Sequence, residues 1–130
     1  MIIQDINNID QLTEQTCIAV GNFDGIHGGH IGLINKTIKT SRNNDLVPTV
    51  LTFDPMPEEF FYAPDFFRLM HMSDKYEVLE KYGIEQIIKI PFDKNFSEIS
   101  KDEFIENILI HKLMVKHLIV GCDFKFGFKR

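Results

Sequence analysis

The chain has 130 residues with 14 basic and 19 acidic side chains, a formal charge of −5, so it holds one domain or part of one. At 44% hydrophobic and 25% charged, it matches a globular domain that buries a core without disulfides, and this excludes disordered and collagen-like chains. The acidic balance argues against the basic face that nucleic acid needs.

The opening Met1-Ile2-Ile3-Gln4-Asp5 has no basic segment ahead of an apolar one, so it does not read as a signal peptide. Apolar runs such as Leu118-Ile119-Val120 fall far short of the roughly 20 residues of a membrane span. Cys17 and Cys122 lie too far apart to define a disulfide-stapled secreted scaffold. A soluble, reduced, cytoplasmic protein is expected.

Cys17-Ile18-Ala19-Val20 reads as a buried strand followed by a glycine-punctuated loop. His30 to Thr40 then places Ile31, Ile34 and Ile38 at helical spacing, and Val47 to Phe53 is a second strand, rich in β-branched and large apolar residues. A second helix is bracketed by Ser73 as N-cap and Gly83 as stop, with Tyr76, Leu79 and Tyr82 on one face. Gln86 to Ile90 is a third strand. Ser100-Lys101-Asp102-Glu103 is a capping box that starts a helix carrying Phe104, Ile105, Ile108 and Leu109. His117 to Val120 is a fourth strand.

Strands alternating with helices, without hairpin signals, imply an α/β fold with a parallel sheet. Ligands of such sheets sit beyond the carboxyl ends of the strands. Three of the four predicted ends carry unusual residues: Gly21-Asn22-Phe23-Asp24-Gly25, Asp54-Pro55-Met56-Pro57 and Gly121-Cys122-Asp123-Phe124. No helix-forming stretch follows the last strand before Arg130, so the chain reads as a fragment whose sheet is incomplete at the C-terminus.

The segment Gly21 to His30 lacks the glycine spacing of a dinucleotide fingerprint and the lysine of a P-loop. It holds His27 and His30, three apart at a helix start, so both rings can reach one ligand. Free N–H groups and the partial positive charge of a helix N-terminus favour phosphate, and glycines at 25, 28 and 29 let backbone approach it closely. Imidazoles there could stabilise the growing charge of a pyrophosphate leaving group. Taken alone, a His-x-x-His pair is more often an exposed helix start or a chance metal site than a catalytic device. Structural zinc is the weaker of these, because neither cysteine is near in sequence and no His-Glu-x-x-His is present.

The ten-residue string as a whole resembles the His-x-Gly-His nucleotidyltransferase signature. It resembles more narrowly the FMN adenylyltransferase module of bacterial bifunctional riboflavin kinase/FAD synthetases, which Asn22 and Gly25 match. Cytidylyltransferases and pantetheine-phosphate adenylyltransferases usually differ at those two positions. Thr52-Phe53-Asp54-Pro55-Met56-Pro57-Glu58-Glu59-Phe60-Phe61 and Val120-Gly121-Cys122-Asp123-Phe124-Lys125-Phe126-Gly127 look like further elements of that family, so the similarity runs from about Cys17 to Arg130.

The resemblance implies a Rossmann-like, doubly wound parallel sheet of the nucleotidyltransferase type over 1–130, with the riboflavin kinase domain outside this chain. It implies transfer of AMP from ATP, carrying Mg2+, to FMN, with release of pyrophosphate. His27 and His30 would be catalytic and contact the ATP phosphates, and Gly21, Asn22, Phe23, Asp24, Gly25 and Gly29 would shape the nucleotide pocket. Asp123 and Phe124 would help position nucleotide or flavin, although Asp123 reads equally as an ordinary loop carboxylate. Phe53, Pro55, Phe60 and Phe61 would contact flavin, in or beside an aromatic patch that also includes Tyr62, Phe66 and Phe67, although most such patches are core or lid packing. The sequence departs from the family in having Gly28 at a place where a larger residue is expected, and in ending before the family's Ser/Thr-and-Arg signature. Other nucleotidyltransferases with the same signature, or an inactive nucleotide-binding module, are the alternatives.

Overall fold

Apolar runs that are buried on both sides build the centre of the protein. The computed structural model describes residues 1–21, 23, 28–54 and 72–121. Their order is β1 (Ile2–Asp5), a 3-10 turn (Ile6–Asn8), β2 (Thr16–Val20), α1 (Gly28–Asn44), β3 (Val47–Phe53), α2 (Met72–Lys81), β4 (Gln86–Ile90), α3 (Lys94–Ser97), α4 (Lys101–Glu103), a π-helix (Phe104–Lys112) and β5 (Val115–Val120). The strands form one sheet in the order β1-β4-β3-β2-β5, and all its pairings are parallel.

Every residue of β2 is buried, because the strand lies between β3 and β5 and both sheet faces are covered. Alternation along the strands divides the core in two. On one face, Ala19, Val50 and Ile87 meet Ile34 and Ile38 of α1 and Leu79 of α2. On the other, Ile18, Val20, Leu51, Phe53, Ile88 and Ile90 meet Phe92, Phe96, Phe104, Leu109 and Leu113. The sheet is thus doubly wound, as expected.

The helix ends have local causes. At the end of α1, Asp45 turns left-handed (φ 54°) and the Leu46 N–H donates to the Ser41 carbonyl at 2.9 Å. Gly83 (φ 109°) ends α2 the same way, with its N–H on the Glu80 carbonyl at 3.0 Å and that of Ile84 on the Leu79 carbonyl at 3.1 Å. The serine half of the capping box is present: Ser100 Oγ accepts from the Glu103 N–H at 3.1 Å, while Glu103 Oε1 accepts from the Ser100 hydroxyl at 3.3 Å.

Five features differ from the sequence reading. Ser73, expected as the N-cap of the second helix, lies inside α2, which begins at Met72. β1 is a fifth strand, added at the β4 edge. A short α3 starts at Asp93, whose Oδ1 accepts from the Phe96 N–H at 2.8 Å. Tyr82 is 38% exposed, because α2 stops at Lys81 before its next turn could carry the ring onto the buried face. The helix after Ser100 widens into π geometry, and the Leu113 N–H reaches back five residues to the Ile108 carbonyl at 2.9 Å. Its buried residues Phe104 and Leu109 are therefore five apart, while Ile105 is exposed.

Candidate active site

The three unusual strand ends belong to three adjacent strands. β2 lies between β3 and β5, with Val20 paired to Leu51 on one side and to Val120 on the other. Gly21, Thr52 and Gly121 therefore lie level at one rim, with strands roughly 5 Å apart. The chain leaves β2 toward β3 and later returns to pair β5 on the opposite side, so this rim is the switch point of the sheet. Ligands of open α/β sheets gather at such a point.

The rim is tied down by backbone bonds. The Gly21 N–H donates to the Leu51 carbonyl at 3.1 Å, and the Asp54 N–H to the Ile90 carbonyl at 3.0 Å. Phe23 follows with a φ of 56°, a conformation that strains a residue carrying a Cβ. Its ring is 2% exposed and lies over Gly21, where an added Cβ would stand 3.1 Å from Phe23 Cε2. Glycine at 21 therefore admits the Phe23 ring. Strain of this kind clusters where a surrounding structure holds a working geometry.

Phe23 in turn holds His30. Their ring centroids are 5.3 Å apart at 63°, an edge-on contact in the first turn of α1. His30 is half-buried. That first turn carries no acidic side chain, so the turn itself does not offset the positive end of a 17-residue helix. The positive end of the helix and an imidazole thus lie together beyond the end of β2, a chemistry suited to an anion.

Farther along α1, Thr37 Oγ1 donates to the Leu33 carbonyl and Ser41 Oγ to the Thr37 carbonyl, each at 2.7 Å, so hydroxyls buried against the sheet are satisfied within the helix. Burial pushes the Cys17 thiol above its ordinary value of 9.0, against a smaller opposite effect of a hydrogen bond with Ser41. Cys17 is thus a protonated core residue at neutral pH.

Of the residues singled out from sequence, Gly21, Phe23, Gly29 and His30 come together at the start of α1. Phe53 ends β3 but is 2% exposed, with Phe92 at 5.9 Å and Phe96 at 5.6 Å between ring centroids, so its ring packs in the aromatic core. Asn22, Asp24, Gly25, His27, Pro55, Phe60, Phe61, Tyr62, Phe66, Phe67, Asp123 and Phe124 lie outside the described residues. Among the described residues no cluster of three or more His, Cys, Asp or Glu could hold a metal ion, and no helix is long and apolar enough to cross a membrane.

One rim residue escaped the sequence reading. Lys75, in α2, is 2% exposed and donates from Nζ to Thr52 Oγ1 at 3.0 Å. Its signal was its place four residues before the buried Leu79, on the same helix face.

An interior strand that feeds a helix start at a sheet's switch point defines a doubly wound α/β protein. Comparison with known proteins makes the assignment particular. A family model described as FAD synthetase matches residues 9–130, and the chain belongs to that family. It is 36% identical, over 99% of its length, to a bifunctional riboflavin kinase/FMN adenylyltransferase of Buchnera aphidicola subsp. Schizaphis graminum. It is 37% identical over 99% of its length to that of Haemophilus influenzae, and 35% identical over 97% to that of Escherichia coli strain K12. The chain spans 42% of the length of the first two relatives and 41% of the third. A crystal structure of a protein named macrolide-efflux protein, from Streptococcus pneumoniae, superposes with a TM-score of 0.87 at 26% identity, over 99% of this chain and 44% of that one.

Proposed function

We propose that this chain is an FMN adenylyltransferase module, which transfers AMP from MgATP to FMN to give FAD and pyrophosphate. The observation that carries the reading is His30, held by Phe23 in the first turn of α1 beyond the end of β2, the strand between β3 and β5. The relatives named for this activity are similar along nearly the whole chain.

In this reading the FMN phosphate is the nucleophile. With a second pKa near 6 it is largely a dianion at neutral pH, so no side chain need become covalently attached. One of its oxygens attacks the α-phosphorus of ATP, the bond to the bridging oxygen breaks, and that oxygen leaves on pyrophosphate. The start of α1 and the His30 ring hold the β- and γ-phosphates and stabilise charge as it builds on the leaving group. His27, three residues earlier, shares that task. Gly21, Asn22, Phe23, Asp24, Gly25 and Gly29 shape the nucleotide wall, and Asp123 and Phe124 serve from the end of β5. Pro55, Phe60 and Phe61 contribute to the flavin side. The cytoplasm, which supplies ATP and FMN, is the compartment this reading implies.

The test is product formation. The protein incubated with FMN, ATP and magnesium should yield FAD and pyrophosphate in equal amounts, separable by chromatography, and His30→Ala should lower turnover at least about a hundredfold, as loss of a preorganised donor does. A His30→Ala protein with wild-type turnover would remove the role given to this helix start.

A further inference from the structure

A cleft lies at the end of the sheet opposite the candidate active site, where the strands begin. Its volume is about 290 Å³, at the small end of the range for small-molecule sites. Val47, Gln86 and Ile2, which line it, are the first residues of β3, β4 and β1. The length of β3 sets it roughly 20 Å from the rim that carries His30. Strand alternation brings Ile2, Gln4, Val47 and Gln86 to one face, the face that also carries Leu51 and Ile88. The segment before β2 adds Leu12, Thr13 and Glu14, and Glu85 borders the cleft just ahead of β4.

Glu14 and Glu85 give this lining two negative charges, and no basic residue belongs to it. Neither carboxylate has an ionic partner among the described residues, and the Met1 ammonium, beside Ile2, is engaged by Glu80 at 3.2 Å. The buried Gln86, 8% exposed, adds a separate demand. Thr49, its neighbour across the β3–β4 ladder, donates its one hydroxyl proton to the Val47 carbonyl at 3.0 Å. That oxygen can then only accept, and it accepts from Gln86 Nε2 at 3.2 Å. The orientation of the carboxamide is thereby fixed, and Oε1 faces away from Thr49 with no hydrogen-bond partner among the described residues. Oε1 is not sealed in the core, so it opens into the cleft. A carbonyl oxygen so placed calls for a donor, and the donor must come from the cleft.

We propose that this cleft binds a small alkylguanidinium ion. Gln4, Thr13, Glu14, Glu85 and Gln86 carry acceptors, which suit a planar cation with five N–H donors and no acceptor of its own. Ile2, Leu12 and Val47 are the apolar walls for its methylene chain. A metal ion fits less well, because among the described residues no cluster of three or more His, Cys, Asp or Glu could hold one. This site is separate from AMP transfer and does not rest on that reading.

Butylguanidinium is the probe, and butylurea is its neutral counterpart. Each is titrated into the whole chain and followed by calorimetry and two-dimensional amide NMR. Butylguanidinium should bind saturably with a Kd of about 1 mM or tighter, shifting the signals of Thr13, Glu14 and the Gln86 side-chain amide. Butylurea should bind at least about tenfold more weakly, and so should butylguanidinium to the Glu14→Lys/Glu85→Lys double variant, the loss expected when a charged contact is removed. Gln86→Leu should weaken binding about threefold. Thermal scans report whether each variant is folded, and the double variant, altered only at exposed positions, decides the matter if Gln86→Leu does not fold. No saturation below about 10 mM, equal affinity for the two probes, or either folded variant binding within about twofold of wild type would overturn the proposal. So would shifts confined to the rim at the other end of the sheet. Displacement of the probe by an equal concentration of magnesium chloride would also overturn it, marking an adventitious counter-ion only.

Discussion

Replacing Phe23 by leucine separates the work of this residue at the rim from its share of the core. Leucine at φ 56° bears the same backbone strain as phenylalanine, so that cost cancels between the two proteins. What is lost is the edge-on contact with His30, about 0.5–1.5 kcal/mol, together with a repacking cost below about 1.5 kcal/mol at a side chain that is 2% exposed. The sum, about 2 kcal/mol, corresponds to a fall of roughly 7 °C in melting temperature for a chain of this length. Phe96→Leu is the control. It removes a ring packed against Phe53, Phe92 and Phe104 on the opposite face of the sheet, and should cost similar stability. Thermal scans and ATP calorimetry on both variants test the reasoning. Phe23→Leu should lose ATP affinity severalfold, because His30 loses the edge-on contact of the Phe23 ring, whereas Phe96→Leu should keep it. Equal ATP affinity in the two variants, or a Phe23→Leu protein with unchanged melting temperature and affinity, would refute the coupling between Phe23 and His30.

Ser100→Ala removes the acceptor for the Glu103 N–H and should destabilise the protein by about 1 kcal/mol, read as a melting temperature roughly 4 °C lower. Gly83→Ala puts a Cβ on a residue at φ 109°, 3.2 Å from Ile38 Cδ1, and should cost at least about 1–2 kcal/mol by urea denaturation. The pH dependence follows from Cys17. Its folded pKa is raised, so its contribution is fully present below the ordinary value of 9.0 and is lost as pH rises through the higher folded value, where the unfolded thiol has already ionised. Denaturation curves at pH 8 and pH 10 should therefore show a smaller decline for Cys17→Ala than for the wild type; identical declines would contradict the burial of the thiol.

The sequence pattern revealed the elements whose burial leaves a local trace. β3 and β4 have the bounds read from their apolar runs, since each lies inside the sheet with both faces covered. The stop at Gly83 and the box at Ser100 were legible because single side chains or a single backbone angle create them. β1 escaped because Ile2 and Ile3 are more than 40% exposed on an edge strand, and what holds them is parallel pairing to β4, more than eighty residues away. The π-helix escaped because the reading assumed α-helical spacing, while burial of Phe104 and Leu109 requires a wider turn.

The site was legible to a different degree. The strand-end motifs were apparent from position along the chain, but their meeting at adjacent strands depends on the order β3-β2-β5, which is a matter of long-range pairing. Strand alternation turns the Phe53 ring into the aromatic core and presents Thr52 to the helices, a placement that a continuous apolar run does not reveal. Lys75 was hidden for the opposite reason. A lysine on a helix reads as solvated until packing shows its face against the sheet.

The most direct measurement is a crystal structure of this chain with a non-hydrolysable ATP analogue. The account predicts the β- and γ-phosphates at the first turn of α1, within hydrogen-bond reach of the His30 ring. An analogue bound at the opposite end of the sheet, or one whose phosphates point away from α1, would contradict it.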